Sequence, residues 1–77
     1  MDDRLKKILA TVLELEEDAI DESISSLNIE SWDSFKQMNI IIAIEEEYGF
    51  MFNEEESILS NSYASLLQII NNKKLAK

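Results

Sequence analysis

Apolar residues recur with helical spacing in the first part of the chain. From Asp3 to Leu15 they follow the i, i+3, i+4, i+7 rule of an amphipathic helix. The residues of this stripe are Leu5, Ile8, Leu9, Val12 and Leu13. Asp2 and Asp3 stand at its start, where carboxylates can cap free backbone N–H groups. A first helix is therefore predicted over this stretch.

The second stretch is the most apolar and includes an isoleucine-rich run over residues 40–44. It predicts a helix that begins at Asp33 or Ser34 and runs to Tyr48. Gly49 would end this helix, because glycine readily takes the left-handed conformation of a helix terminus. A strand is less favoured, since the chain has no second β-like run to pair with it. The residues available for burial are Phe35, Met38, Ile41, Ile42, Ile44 and Tyr48.

Two further helices are predicted in the last third of the chain. Asn53 is a capping residue followed by three glutamates, which favours one short helix there. The last helix should begin near Asn61 or Ser62, with lysines close to its end. Its apolar stripe is Tyr63, Leu66, Leu67 and Ile70.

Residues 16–33 lose the helical period and are rich in Asp, Ser and Asn, which bond their own backbone and compete with helix. We expect a long loop with a short turn of helix around residues 21–26. Its apolar anchors over the core would be Ile20, Ile24, Leu27, Ile29 and Trp32. The pattern predicts an all-α fold: a small four-helix bundle of three main helices and one short helix, with a long loop between helices 1 and 2. Residues 1–77 should form a single small domain.

Composition narrows the possible functions. The chain has no histidine and no cysteine, so it lacks the commonest general base, the commonest metal ligand and any thiol nucleophile. We therefore expect neither an enzyme nor a dedicated metal site, although clustered carboxylates can attract divalent cations weakly. An EF-hand is excluded, because placing Gly49 at the sixth loop position puts Ile44 at the first, where an oxygen ligand is required.

Charge and hydropathy point to protein partners. Sixteen acidic against seven basic residues give a formal charge of −9, which repels nucleic acid and anionic membranes and attracts proteins with basic docking faces. The longest apolar run is far shorter than the roughly 20 residues that span a bilayer, and the N-terminus lacks a basic leader. A monomeric, cytoplasmic protein without membrane insertion is expected.

Ser34 is the candidate for covalent modification. It stands where the acidic loop turns into the most apolar helix. The start of a helix has unpaired N–H groups and a partial positive charge, so a phosphate attached there would be stabilised. Such a serine needs no activating base of its own when a separate enzyme modifies it.

Three features together resemble the acyl carrier protein family over nearly the whole chain. The triplet Asp33-Ser34-Phe35 opens an apolar helix, residues 43–49 close it with an acid-rich turn, and a long acidic loop precedes it. The triplet is similar to the family's Asp-Ser-Leu, whose serine carries 4′-phosphopantetheine. An Asp-Ser-Phe variant resembles some carriers of activated amino acids, notably the D-alanyl carrier proteins.

The resemblance implies a role for each residue of the triplet. Ser34 would bear the phosphopantetheine arm, whose thiol carries an acyl or aminoacyl group as a thioester. Asp33 would orient the helix start and help a phosphopantetheinyl transferase recognise it, and Phe35 would anchor the first turn in the core. Trp32 would anchor the loop or touch the arm, and the core around Met38 could open for an acyl chain.

Partner enzymes that load or consume the acyl group would dock through basic faces on exposed acids. The candidate docking residues are Glu45, Glu46, Glu47, Glu54 and Glu55. Lys36 and Asn39 stand where the general carriers of fatty acid biosynthesis have acids early in helix 2. This departure favours a dedicated carrier in a specialised pathway, with a small acyl or aminoacyl group as its cargo.

A second interpretation needs only the composition. An acidic helical interaction module could bind a basic partner by charge and an apolar groove, with Ser34 serving only as a helix cap. In that case Ser34→Ala should cost about 1 kcal/mol of stability and leave function intact.

Overall fold

The structure is a computed structural model that describes residues 3–75. Over these residues the protein is all-α. It contains α1 (Asp3–Leu13), α2 (Ser34–Tyr48), α3 (Glu54–Leu59) and α4 (Tyr63–Leu75), with no strand among the described residues. An isolated bridge joins Ser25 of the long loop to Ser62 just before α4. The predicted architecture of three main helices, one short helix and a long first loop is confirmed.

The first helix ends two residues earlier than predicted, at Leu13. Glu14 takes a left-handed conformation with φ of 58°. Its N–H donates to Thr11 O, and the N–H of Leu15 donates to Ala10 O at 2.9 Å. This is the hydrogen-bond pattern of a Schellman motif, in which the chain reverses direction while the last carbonyls stay paired. Leu15 still packs against the core, which explains why the apolar period runs past the helix.

The start of α1 coincides with the predicted one, because Asp3 is its first residue. The second capping residue expected there, Asp2, lies outside the described residues. Leu5, Leu9 and Leu13 of α1 are buried. This one-sided burial is what the amphipathic spacing predicts.

The loop before α2 contains a 3₁₀ turn at Glu17–Ala19, so the helical turn expected around residues 21–26 is wrong. Short polar side chains take the backbone groups there instead. Asp21 Oδ1 accepts from the backbone N–H of Ser23 at 2.8 Å and from its hydroxyl. These bonds, the one from the hydroxyl first, lower the pKa of Asp21 below its ordinary value. They compete with the helical bonds that the segment would otherwise make.

Three of the five expected loop anchors are buried, namely Ile20, Ile24 and Trp32. Ile29 is half-buried and packs against the core. Leu27 is 93% exposed, so its predicted anchoring role is wrong. It lies in the turn over residues 26–28, where its N–H donates to Ser25 Oγ and its side chain faces away from the core.

The second helix has the predicted limits. It runs from Ser34 to Tyr48, and Gly49 ends it with φ of 76° and an N–H that donates to Glu45 O. Only Ile40 and Ile44 are fully buried on it. Of the other residues expected to be buried, Ile41 and Tyr48 are half-buried, whereas Phe35, Met38 and Ile42 are exposed. The helix has apolar residues on more of its circumference than the core covers. The predicted burial of Phe35, Met38 and Ile42 is therefore wrong.

The third helix begins with the predicted cap. Asn53 Oδ1 accepts from Glu56 N at 2.8 Å, and Glu56 Oε1 accepts from Asn53 N at 3.0 Å, which makes a capping box. In α4, Ser62 Oγ accepts from Ser65 N, so the predicted start near Ser62 is confirmed. Lys73 near the end of α4 pairs with Glu56 at 3.0 Å and joins the two helices.

The core lies between α1, α2 and α4, with the loop laid over it. Its buried apolar residues are Leu5, Leu9, Ala10, Leu13, Ile20, Ile24, Trp32, Ile40, Ile44, Tyr63, Leu66 and Ile70. Within residues 3–75, no helix has the length and apolar character needed to cross a membrane.

Candidate functional site

Ser34 is the first residue of α2, and its side chain is exposed. The capping bond at this helix start is made by its neighbour: Asp33 Oδ1 accepts from Lys36 N at 2.9 Å. Asp33 has the extended backbone of an N-cap residue, with φ of −101° and ψ of −174°. Within the described chain the Ser34 hydroxyl makes no hydrogen bond. The oxygen therefore faces solvent at a helix N-terminus whose capping does not depend on it.

The loop holds the start of α2 firmly in place. Ser31 Oγ donates to Leu13 O at 3.1 Å and so ties the loop to the end of α1. Trp32 is buried, and its backbone N–H donates to Ile29 O at 3.0 Å. Its predicted role as a loop anchor is confirmed by this burial. An exposed serine is thus presented from a fixed backbone.

Phe35 does not anchor the first turn in the core, as the resemblance implied. Its side chain is 71% exposed. The next two turns repeat this outward position at Met38, 63% exposed, and Ile42, 46% exposed. These three residues form an apolar stripe along the outer face of α2, because spacings of three and four place them on one side of a helix. The anchor at this helix start is Trp32.

Two surface grooves meet at Ser34. One lies between α2 and α3 and has a volume of about 350 Å³. It is lined by Ser34, Gln37, Met38, Ile41, Glu54, Ser57 and Ile58. The other, about 320 Å³, lies between the loop and the α3–α4 junction. Its lining is more polar: Ser26, Trp32, Asp33, Ser34, Gln37, Ile58 and Asn61. A group attached to Ser34 would have both surfaces within reach.

The structure divides the five candidate docking acids into two kinds. Glu45 is half-buried, and its Oε2 accepts from the backbone N–H of Phe52 at 2.8 Å, so it joins α2 to the segment before α3. The other four candidates are exposed: Glu46 and Glu47 at the end of α2, and Glu54 and Glu55 at the start of α3. One acidic patch therefore lies at the end of α2 that is remote from Ser34, and a second lies at the start of α3.

A third glutamate in α3, Glu56, is structural. The hydrogen bond from the backbone N–H of Asn53 lowers the pKa of Glu56; burial opposes this, and Lys73 adds to the lowering. Both the bond and the ion pair favour the charged carboxylate. Near neutral pH the bond therefore caps α3, and the ion pair joins α3 to α4. Within residues 3–75, no three acidic side chains gather into an arrangement that could hold a metal ion.

Sequence reasoning missed Gln37 and Ser60. Gln37 Nε2 donates to Ser60 O at 2.6 Å and to Ser60 Oγ at 2.8 Å, and Gln37 Oε1 accepts from Trp32 Nε1. Ser60 is fully buried. The signal available for Gln37 was its position. It is a polar residue one turn after Ser34, on the side of the helix that also carries Ile40 and Ile44. Nothing in the sequence pairs it with Ser60, which is 23 positions away.

Comparison with known proteins decides the family. No family model matches the chain. An acyl carrier protein of Buchnera aphidicola subsp. Acyrthosiphon pisum (strain 5A) is 29% identical over 77 residues, which cover 100% of this chain and 96% of the relative. An acyl carrier protein of Buchnera aphidicola subsp. Schizaphis graminum (strain Sg) is 31% identical over 70 residues, covering 91% of this chain and 89% of the relative. The chain belongs to the acyl carrier protein family.

Membership confirms the carrier role that the sequence predicted. Acyl carrier proteins are carriers and not enzymes, and they work with enzymes that handle acyl groups. Members of the family generally bear a phosphopantetheine group. In this carrier, the exposed hydroxyl of Ser34 and the capped start of α2 are compatible with such a group, because an anion there would face the positive end of the helix.

Proposed function

We propose that this carrier holds its acyl group as a thioester on a 4′-phosphopantetheine arm attached to Ser34 Oγ. The observation that carries the proposal is the pairing of an exposed, unbonded hydroxyl with a helix start that Asp33 already caps. The phosphate would lie at the positive end of α2, near backbone N–H groups with no helical partner. Residues 1–77 would act together as one carrier domain and as a monomer in the cytoplasm.

A separate phosphopantetheinyl transferase would catalyse the attachment of the arm to Ser34. The chain has no histidine or cysteine to activate the serine, and the arm brings its own thiol. Asp33 would keep the helix start in the geometry that the transferase meets, because its capping bond to Lys36 N fixes the first turn. Phe35 would be available for direct contact with the transferase, since its side chain is exposed beside Ser34.

Enzymes that load or consume the acyl group would dock on the acids around α2 and α3. Glu46, Glu47, Glu54 and Glu55 are exposed and would attract basic side chains on those partners. Glu45 would act indirectly, by holding the segment before α3 through Phe52 N. The outer stripe of Phe35, Met38 and Ile42 would add an apolar contact to the docking face.

The cargo would be a small acyl or aminoacyl group in a specialised pathway. This part of the proposal depends on Lys36 and Asn39, which replace acids near the arm in the pattern of the general fatty-acid carriers. Both residues are half-buried on α2. The surface close to Ser34 is therefore less negative than the far end of the helix, and it would suit a different set of partners.

The test is the intact mass of the protein after incubation with coenzyme A and a permissive phosphopantetheinyl transferase. We expect a gain of one phosphopantetheine group in the wild type and in Ser26→Ala, a matched serine in the neighbouring groove. Ser34→Ala should show no gain and should keep its helical circular dichroism. An unmodified wild type, or a gain that persists in Ser34→Ala, would overturn the proposal.

A further inference from the structure

The more polar of the two grooves at Ser34 lies between the loop and the α3–α4 junction and has a volume of about 320 Å³. We call it the loop groove. Ser34 and Asn61 both line it. Asn61 is exposed, and its side-chain amide makes no hydrogen bond within the described residues. A group attached to Ser34 therefore shares the loop groove with a polar side chain that has its donors and acceptor available.

The backbone of Asn61 is fixed although its side chain is exposed. Asn61 O accepts from Ser26 N at 2.9 Å, which ties the residue to the loop. The preceding residue, Ser60, is fully buried and accepts two hydrogen bonds from Gln37 Nε2 of α2. The loop and α2 thus hold the α3–α4 junction from two sides. The Asn61 amide is presented to the loop groove from a firmly held backbone.

Capping of the following helix does not occupy the Asn61 side chain. An asparagine just before a helix often serves as its cap. Here the next residue along the chain takes that task, because Ser62 Oγ accepts from Ser65 N at 3.1 Å. The Asn61 amide is therefore left for a ligand or for water.

The arm proposed for Ser34 has chemistry that matches the loop groove. From the phosphate outward it carries a gem-dimethyl carbon, a hydroxyl, two amide groups and the thiol. A primary amide such as that of Asn61 both donates and accepts, so it can pair with either the N–H or the C=O of an amide group. Ile58 also lines this groove and is 71% exposed, which offers an apolar contact to the gem-dimethyl carbon.

The groove between α2 and α3 is a poorer place for the amides of the arm. Met38 and Ile41 give its wall apolar side chains, and an amide laid against them loses water without gaining a partner. The amide side chain in its lining is Gln37, which already donates to Ser60. The charged residue in its lining is Glu54, whose carboxylate repels the phosphate of the arm.

We propose that the amide-bearing part of the arm lies in the loop groove, with the amide nearest the phosphate hydrogen-bonded to the side chain of Asn61. This inference deepens the proposed function and rests on it, since it requires the arm at Ser34. The covalent tether gives the arm a high effective concentration near Asn61, so a few weak contacts populate the bound form. Asn61 is then a binding residue for the arm, and the groove between α2 and α3 stays clear of the arm's amides.

The test uses nuclear Overhauser effects in the protein that carries the arm. Intact mass first verifies that a transferase has attached the arm from coenzyme A. In the wild type we expect effects from the gem-dimethyl protons of the arm to the Ile58 methyl groups and to the side-chain N–H groups of Asn61. In Asn61→Ala the effects at Ile58 should weaken about threefold, because one hydrogen bond contributes about that factor to the bound population.

The matched control is Asn72→Ala, which changes an exposed asparagine of α4 outside the loop groove and should behave as the wild type. Effects from the arm to Met38 and Ile41 in place of Asn61 would put the arm between α2 and α3 and would overturn the inference. Undiminished effects at Ile58 in Asn61→Ala would overturn it as well.

The outcome also separates this inference from the proposed function. A wild type that stays unmodified would overturn both. A wild type whose Ser34 carries the arm, with no effect between the arm and the loop groove, would overturn the inference alone.

A second measurement follows the mobility of the arm, labelled with nitrogen-15. The order parameter of the amide nitrogen nearest the phosphate should be higher in the wild type than in Asn61→Ala, where it should fall below about 0.6, the range of flexible groups. Helical circular dichroism should be the same in both proteins, because the bond from Ser26 N uses the backbone oxygen of residue 61 and not its side chain. Equal order parameters in the two proteins would contradict the inference.

Discussion

Asp33 and Ser34 are neighbours with separate tasks. Asp33 takes up the free N–H of Lys36, while the hydroxyl of Ser34 stays exposed and unbonded. A hydroxyl engaged in capping would have to give up that bond to be modified. Because the cap belongs to the aspartate, the proposed modification of the serine would leave the helix start intact.

This division of tasks predicts the stability of three variants. Asp33→Ala should lower the free energy of unfolding by about 1 kcal/mol, whereas Asp33→Asn, which keeps an acceptor oxygen, should change it little. Ser34→Ala should cost less than about 0.5 kcal/mol, as expected for an exposed position. Urea denaturation at pH 7 measures all three, with Asp18→Ala as an exposed aspartate control. A loss of 1 kcal/mol in Ser34→Ala with none in Asp33→Ala would favour the interpretation of Ser34 as a cap.

At position 49 the backbone conformation, and not a lack of space for a side chain, favours glycine. Its φ of 76° is a left-handed value, and a Cβ at this position would meet no atom within 4 Å. Gly49→Ala should therefore destabilise the protein by about 1 kcal/mol through backbone conformation and not through a clash. Gly49→Asn should cost less, because asparagine tolerates this conformation. Urea denaturation tests the order, and an Asn variant less stable than the Ala variant would contradict it.

At the scale of elements, the short helix α3 depends on its attachments. A helix of six residues is too short to be stable by itself. It is held by the capping box of Asn53 and Glu56, the Glu56–Lys73 ion pair, and the bond from Phe52 N to Glu45. The hydrogen bonds from Gln37 Nε2 to Ser60 hold its other end. The groove beside Ser34 exists because these contacts fix α3 against α2 and α4.

The carboxylate of Glu56 makes part of this attachment dependent on pH. Its pKa is lowered in the folded protein, mainly by the hydrogen bond from Asn53 N. The resulting stabilisation is present above the unfolded pKa of about 4.3. It is lost as the pH falls through the lower folded value. Glu56→Gln keeps an acceptor for Asn53 N but cannot titrate, so it should lose less stability between pH 7 and pH 3 than the wild type.

The control for this prediction is Glu55→Gln, which removes the same charge from the exposed face of α3. Urea denaturation at several pH values gives the comparison, and we expect a difference between the two variants below about 1 kcal/mol, the range of exposed ion pairs. Identical pH profiles for Glu56→Gln and Glu55→Gln would show that Glu56 has no special role.

At the scale of the whole molecule, the net charge of −9 opposes folding. Sixteen acidic residues share a domain of 77 residues with seven basic ones, so like charges are close together on the surface. The exposed pairs Glu46–Glu47 and Glu54–Glu55 concentrate this repulsion around the far end of α2 and the start of α3. The same field would draw basic partner enzymes toward that side. The proposed docking and the self-repulsion would therefore have a common cause.

Salt should consequently stabilise the unbound protein. Raising the NaCl concentration from 0.01 to 0.15 M shortens the Debye length from about 30 to about 8 Å and screens the repulsion. We expect the thermal midpoint to rise over this range. The rise should be smaller in Glu46→Gln/Glu47→Gln, where part of the repulsion is removed. A midpoint that falls with salt would mean that attractive ion pairs outweigh the repulsion.

Local signals predicted the elements well because they involve residues close together in the sequence. The N-cap of α2, the glycine that ends it and the capping box of α3 each depend on contacts within about four positions. The end of α1 was missed because Glu14 adopts a conformation that glycine usually takes. The turn expected around residues 21–26 failed because Asp21 bonds Ser23 and not a helix.

The amino-acid sequence by itself determined the four helices, their order, the acidic surface and the position of Ser34 at the start of the second helix. Periodicity and capping are local, so the chain encodes them without reference to distant residues. Only the tertiary structure decided that Phe35 and Met38 face outward, that Glu45 turns toward Phe52, and that Gln37 meets Ser60. Each of these outcomes depends on which helix face the remaining elements cover, and that follows from packing between segments far apart in the chain.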